Sequence, residues 1–470
     1  MRLFANMSDT PLVAASPFAS FCRRHGALAL LLLLGFALRV AYWIHVDPYP
    51  ISDFWEHQFF AQRLLDSGTL GAVGPSAYRL PGYIVFLAGL MLVSTSVAWL
   101  SFANVVLSSA LVGMVYALAR SLEVPRGGAL VAAALTAFNP TFIFYAGVLA
   151  SEHLYILLVF GAFVAAMKAD PQQAGFRRVL PPLLLGGSLL GLAILTRGEG
   201  VFLAPVLVLG LLAAWWPGRT AERKRLALLA LVPLVTAMLV VLPWYVRNQV
   251  LVGPGSSLST TGGLNFYFAH NDVRYGFHGL AGTPFEELGV VSMQQTVMEG
   301  GDELAIHRLG NRLGWQHIRN APAAELLADV RRGTRDLFWT HGKYAVDWST
   351  KGPREAPGLP YPDKEIRGKE SFIRLTGWWF LLGPAAAASL LLVWRYPLRQ
   401  SVVLYGIIAA TWAGYAVIFW AKARYRFTAE AAAPILVGML LVESCRMAVG
   451  LTANFFSRAK SNGKSGNTVP

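Results

Sequence analysis

The sequence predicts an all-α, polytopic membrane protein, and three observations predict it. The 470-residue chain is 55% hydrophobic and only 14% charged. Its apolar runs repeatedly approach or exceed the roughly 20 residues that cross a bilayer as a helix. Its formal net charge of +14 collects in short loops between those runs. In a soluble protein such an excess would suggest nucleic acid as a partner. Here it follows the positive-inside rule, and no nucleic-acid-binding motif accompanies it.

Residues 1–22 read as a disordered cytoplasmic lead before Arg23–Arg24–His25. The apolar run that follows lacks a small-residue cleavage site, so it reads as an uncleaved first span from about Gly26 to Val46. Residues 47–97 form the first outer loop. Later spans run over about Trp99–Leu118, Gly128–Ala146 and Leu154–Met167. The next ends at Leu195, and another begins after the turn Thr196–Gly200 and ends at Trp216. A seventh covers about Leu226–Tyr245, closing an N-terminal transmembrane module over 23–246. Residues 247–371 read as a mixed outer domain, with helical patches at Glu303–Gln316 and Ala323–Phe338. The C-terminal helices occupy 372–449, and 450–470 form a basic cytoplasmic tail.

One apolar segment, Gly82–Leu92, is short for a span. Counted as a crossing, it would turn the loops carrying Arg120, Arg126, Arg177, Arg178 and Arg219–Arg225 outward. Treated as a surface or re-entrant helix, it leaves about 10 spans with both termini cytoplasmic. The two cysteines, Cys22 and Cys445, then fall on the cytoplasmic side, where a structural disulfide is not expected.

This topology gathers the chemistry on one outer face. Asp53 and Glu56 are three residues apart and share a helix side. They are either a capping pair, with Gly68 ending the helix, or a carboxylate site that takes a proton from an acceptor hydroxyl. Glu152 opens a span beside His153; it either complements a helix dipole or completes an acidic site with Asp53. A divalent cation stays open, with Asp53 and Glu152 as its ligands. Arg79, Arg197, Arg247, Arg424 and Arg426 all fall at outward span ends. Singly each could be a snorkelling interfacial residue; together they suit a lipid phosphate, which guanidinium groups bind as planar forks. Aromatic residues such as Trp55, Tyr78, Tyr83 and Tyr425 fit an interfacial belt, with room for one or two to stack on a sugar. His270–Asn271–Asp272 lies in the outer domain. No zinc spacing, P-loop, nucleophile elbow or dinucleotide fingerprint is present.

Several pieces in order carry a resemblance. They are Asp53–Phe54–Trp55–Glu56 with Gln62–Arg63–Leu64–Leu65, Arg79–Leu80–Pro81–Gly82–Tyr83, Asn139–Pro140 and Ala150–Ser151–Glu152. Leu192–Gly200, Pro243–Asn248, Thr261–Tyr267 and Arg424–Tyr425–Arg426–Phe427 follow. Together they resemble the bacterial GT-C fold glycosyltransferases of the glycosyltransferase 39-like family, the protein O-mannosyltransferase and aminoarabinose lipid A transferase group. The resemblance implies transfer of a sugar from a polyprenyl-phosphate donor to a lipid, glycan or protein acceptor, at the outer face of the inner membrane. It implies Asp53 as catalytic acid/base group of the first loop, Arg79 as the basic residue facing the donor phosphate, and Glu152 as second-loop acid. Many relatives have Asp at the last position, which leaves metal use open. Substrate-binding candidates are Tyr78, Tyr83, Asn265, His270 and Tyr425. The rival readings are a flippase or transporter for a lipid-linked sugar, a polysaccharide ligase, and a catalytically silent assembly subunit in which Asp53 only caps a helix.

Overall fold

The computed structural model describes residues 17–171, 175–215, 222–271, 283–286, 290, 293–353 and 360–464. The lead before residue 17, Arg219, Asp272 and the tail beyond Lys464 lie outside the described residues. Among those described, every regular element is helical, and the one β feature is an isolated bridge between Lys351 and Asp363.

The chain opens with α1 (Pro17–Val46), then two first-loop helices, α2 (Asp53–Ser67) and α3 (Pro81–Met91). Next come α4 (Val97–Ser121), α5 (Arg126–Ala137), α6 (Pro140–Phe144), α7 (Glu152–Ala166), α8 (Phe176–Thr196), α9 (Gly200–Trp215) and α10 (Arg223–Leu251). The region read as the outer domain carries α11 (Thr261–Ala269), α12 (Met293–Met298), α13 (Glu303–Asn320), α14 (Ala323–Phe338) and α15 (Tyr344–Ser349). Last are α16 (Lys369–Leu375), α17 (Trp379–Ala388), α18 (Leu398–Trp412) and α19 (Phe427–Lys464). Among the described residues, seven helical segments are long and apolar enough to cross a membrane by length and composition, and four shorter apolar helices stand with them.

The doubtful segment folds as α3, a helix of 11 residues. At 1.5 Å per residue it rises about 16 Å, roughly half a bilayer core. Its Tyr83, Leu87 and Ala88 are buried, and it packs on α2 and α8.

Two expected spans differ in the structure. The run read as Gly128–Ala146 breaks after α5 and restarts at Pro140. Proline has no N–H and clashes with the preceding turn, so a helix cannot pass through unbroken without compensation. Asn139 caps the new turn, its Oδ1 accepting from the Thr141 N–H at 2.9 Å. The freed carbonyls of α5 receive a buried cation from α1. Arg39 donates from Nη2 to Thr136 O (3.1 Å) and from Nη1 to Ala137 O (3.0 Å), and its Nε donates to Ser108 Oγ (2.9 Å). Helix C-terminal carbonyls thus take the place of a counter-ion for this intramembrane arginine. The second difference is α10, which runs on through Pro243 to Leu251, past the expected end at Tyr245, so that Arg247 falls within the helix.

Close packing in the bundle depends on small residues. A Cβ on Gly187 would stand 2.5 Å from Pro233 O, so α8 meets α10 backbone to backbone there. Gly128 and Gly438 do the same between α5 and α19, where a Cβ on Gly128 would lie 2.9 Å from Gly438 O. At one end of the bundle, ion pairs Arg399–Glu123 and Arg395–Glu443 tie the α4–α5 loop, the start of α18 and α19 together. The carboxylates and arginines named as site candidates lie at the other end.

Candidate active site

Asp53 is the first residue of α2. The residue before it, Ser52, has φ 47° and makes no side-chain cap. This is a conformation that non-glycine residues rarely adopt, and it turns the chain sharply into the helix. The Tyr361 hydroxyl accepts from the Ser52 N–H at 2.9 Å and holds the turn. The capping-box reading of Asp53 and Glu56 does not describe the molecule, because neither carboxylate bonds the helix terminus. Gly68 does end the helix, in the left-handed conformation expected of a C-terminal glycine.

The Asp53 carboxylate lies between two guanidinium groups. Arg79 Nη2 donates to Oδ1 at 2.8 Å and Arg424 Nη2 donates to Oδ2 at 2.8 Å. Arg79 stands just before Pro81, the first helical residue of α3. It is also gripped from behind by Glu56, whose Oε2 accepts from its Nε at 2.7 Å and its Nη2 at 2.5 Å. Burial alone would raise the Asp53 pKa, but Arg79 and Arg424 reverse this and hold it well below the usual carboxylate range. Glu56 goes the other way. Its burial outweighs the pull of Arg79, the Asp53 charge adds to the rise, and its pKa is pushed up to about 7.

A second ion-pair group faces the first. The turn between α8 and α9 presents Arg197, which donates to Glu152 Oε1 (2.8 Å), Glu199 Oε1 (2.6 Å) and the Tyr415 hydroxyl (3.1 Å). Tyr415 sits in a π-helical segment, Ala413–Ile418, at the end of α18. Such bulges often mark functional positions. Here it stacks Tyr415 on Tyr425 at 4.5 Å, and the Tyr425 ring lies under both Arg197 (5.6 Å) and Arg424 (5.0 Å).

Between the two groups is a cavity of about 360 Å³. Asp53, Arg79, Glu152, Arg197 and Arg424 all line it, as do Tyr78, Tyr83, Asn265 and Tyr425. Other predicted site residues do not. Glu56 is buried one layer behind Arg79. Arg247 points away, to Ser76 O at 2.7 Å and Asn248 Oδ1 at 2.9 Å, with Trp244 beneath it. His270 ends α11, buried against Phe266. Arg426 is fully buried against Glu430 (3.1 Å) and donates to Thr340 O at 2.6 Å, so it is a strut rather than a phosphate contact. His57, Glu199, Tyr415 and Ser259 line the cavity without having been singled out as site residues. His57 sits one helical turn after Asp53, and that spacing was the available signal. Its Nδ1 is 3.1 Å from Leu149 O, and burial pushes its pKa down to about 3, so it is neutral.

The donor set does not suit a divalent cation as it stands. Both Asp53 oxygens accept from guanidinium groups, and among the described residues no three His, Cys, Asp or Glu side chains converge.

No family model matches the sequence, and no curated protein sequence does. Solved structures match in shape. The oligosaccharyltransferase of Archaeoglobus fulgidus in its apo form aligns over 97% of this chain and 54% of its own, with 15% identity and a TM-score of 0.53. The same organism's AglB, in complex with an inhibitory peptide and a dolichol-phosphate, aligns over 96% and 53%, with 16% identity and a TM-score of 0.51. The chain has the GT-C fold. It spans about half the length of those two proteins. ArnT from Cupriavidus metallidurans, bound to undecaprenyl phosphate, aligns over 90% of this chain and 78% of its own, with 14% identity and a TM-score of 0.38. On this GT-C scaffold, the cavity draws its charged residues from both halves of the sequence: the first loop supplies Asp53 and Arg79, and the segment before α19 supplies Arg424.

Proposed function

We propose that this chain is a membrane glycosyltransferase that moves a sugar from a polyprenyl-phosphate-linked donor to an acceptor hydroxyl, on the outer face of the inner membrane with both termini cytoplasmic. The observation that carries this reading is an ionised Asp53 bracketed by Arg79 and Arg424 in a cavity that Arg197 also faces. The dolichol-phosphate bound by AglB, on the same fold, supports a lipid-phosphate donor. The volume, about 360 Å³, is near the lower end of ligand pockets and favours one sugar headgroup over a long glycan.

A carboxylate with both oxygens bonded to guanidinium groups is a weak base, because protonation weakens both ion pairs. An arriving phosphate is a competing anion for the same planar forks. As Arg79 or Arg424 turns to it, Asp53 loses a stabilising partner and its basicity rises toward the range of a general base. Asp53 then takes the acceptor hydroxyl proton, the acceptor oxygen bonds to the anomeric carbon, and the bond from that carbon to the phosphate oxygen breaks. The electron pair leaves on the polyprenyl phosphate, where Arg79 and Arg424 stabilise the growing charge. Glu152 and Glu199 hold Arg197 at the opposite wall, and the residues of 247–371 select the acceptor.

Asp53→Asn keeps the side-chain shape and removes the base. It should lower transfer by about 10²–10⁴-fold while the variant still folds and still binds polyprenyl phosphate. Substantial residual turnover overturns the base role. Running the assay with a monosaccharide donor also separates this reading from transfer of a whole lipid-linked glycan, because a ligase would leave that donor unused.

A further inference from the structure

We propose that Glu303, together with Arg247, is a positioning residue for Arg79: the two lock the segment Ser76–Tyr78 and so fix where the cavity's first-loop guanidinium begins. The inference rests on the reading of Arg79 as a donor-phosphate ligand.

The segment leading into Arg79 has no regular structure of its own, and it is buried. Its backbone groups must therefore find partners elsewhere. They find them in the 247–303 region. Glu303, in the first turn of α13, accepts from Ser76 Oγ at 2.5 Å and from the Ala77 N–H at 2.7 Å. Arg247 donates to Ser76 O at 2.7 Å. The Thr260 N–H donates to Ala77 O at 3.0 Å, and Ser259 Oγ donates to Tyr78 O at 2.7 Å. The Tyr78 N–H turns back to Ser76 Oγ at 3.0 Å. Two residues beyond Arg79, after Leu80, Pro81 starts α3 with its backbone torsion fixed by the ring. Arg79 is thus the short link between a clamp and a helix, and neither end is free to move.

Glu303 carries the clamp because it bonds both a side chain and the backbone of the segment. It is buried, and burial raises its pKa. Its contacts with Ser76 and Ala77 require hydrogen-bond acceptors rather than a charge. A glutamine can keep the contact to the Ala77 N–H and offer its amide to Ser76 Oγ; an alanine can do neither.

The test uses the full chain in lipid nanodiscs with polyprenyl phosphate as the probe. Glu303→Ala should weaken binding about 10-fold, and hydrogen exchange should quicken across residues 76–79. Glu303→Gln should restore most of both. In an Arg79→Ala background, Glu303→Ala should have no further effect, because a residue acting only through Arg79 has nothing left to act on. Equal losses in the two backgrounds, or unchanged binding in Glu303→Ala, overturn the proposal. Hydrogen exchange keeps it falsifiable if Glu303→Ala folds poorly, because unaltered exchange at 76–79 in the folded fraction also overturns it. If Arg79→Ala itself binds polyprenyl phosphate as tightly as the unaltered protein, the donor-site reading fails and this inference falls with it.

Discussion

Arg424 and Arg426 stand in the same short turn before α19, separated by a single tyrosine. Both are paired with carboxylates, yet they belong to different regions. Arg424 lines the cavity, with its side chain 18% exposed, and pairs with Asp53, which is equally open at 19%. Arg426 and Glu430 are both 0% exposed. The second pair is embedded further: Asn139 donates to Glu430 at 3.1 Å, Arg426 donates to Thr340 O, and Trp379 lies over the guanidinium at 5.0 Å. It therefore joins α19 to the α5–α6 break and to the chain after α14. An ion pair at a cavity wall can trade its partner for a ligand. A fully enclosed pair cannot, and its cost of breakage goes into stability.

Substituting each arginine separates the two. Arg426→Ala leaves Glu430 buried without its cation, which should cost about 3–5 kcal/mol of stability. Melting temperature should fall sharply, and activity per folded molecule should change little. Arg424→Ala should do the reverse. Losing one phosphate donor should lower kcat/KM for the donor by about 10²–10³-fold, with a much smaller effect on acceptor KM and little change in melting. If both variants lose stability alike, the division between wall and strut is wrong. If Arg424→Ala affects donor and acceptor equally, its contact is not with phosphate.

The same pair shows how far the sequence could be read. Asp53, Arg79, Glu152, Arg197 and Arg424 were visible because charge at the end of an apolar run is costly unless it is used or paired. Arg426 has the same local signature, but it faces inward, and direction around a turn cannot be read from span ends. One clue existed: Glu430 follows it at helical pairing distance. Arg247 is expected at a span end, but its helix continues through Pro243 to Leu251, and its guanidinium turns to Ser76 O and Asn248 rather than into the cavity. The helix break at Asn139–Pro140 carried an N-cap and a first-turn proline, and hydropathy alone hid it. Glu303 had no legible signal, because its partners lie more than two hundred residues away. The bundle and the charged ends of its spans are local properties; the clamp on Arg79 is purely tertiary.

The smallest effect tests the comparison between Asp53 in the cavity wall and Glu56 buried behind it, which lie on one helix side and share Arg79. Their pKa values are displaced in opposite directions, so their contributions to stability must depend on pH with opposite signs. Asp53 is held low by its two guanidinium partners. Its contribution is present above the ordinary aspartate value near 3.8 and is lost as pH falls through the lower folded value. Glu56 is raised by burial from 4.5 to about 7. The folded protein then holds a proton that the unfolded chain has released, and the stability this supplies is lost as pH rises from 4.5 through 7. Glu56→Gln removes that titration while leaving an oxygen to accept from Arg79. Melting curves between pH 4.5 and 7.5 should therefore fall with pH more steeply for the unaltered protein than for Glu56→Gln, by a few degrees across the window. Parallel curves would mean that Glu56 is ionised throughout, held as firmly by Arg79 as Asp53 is, and that the two carboxylates do not differ in kind.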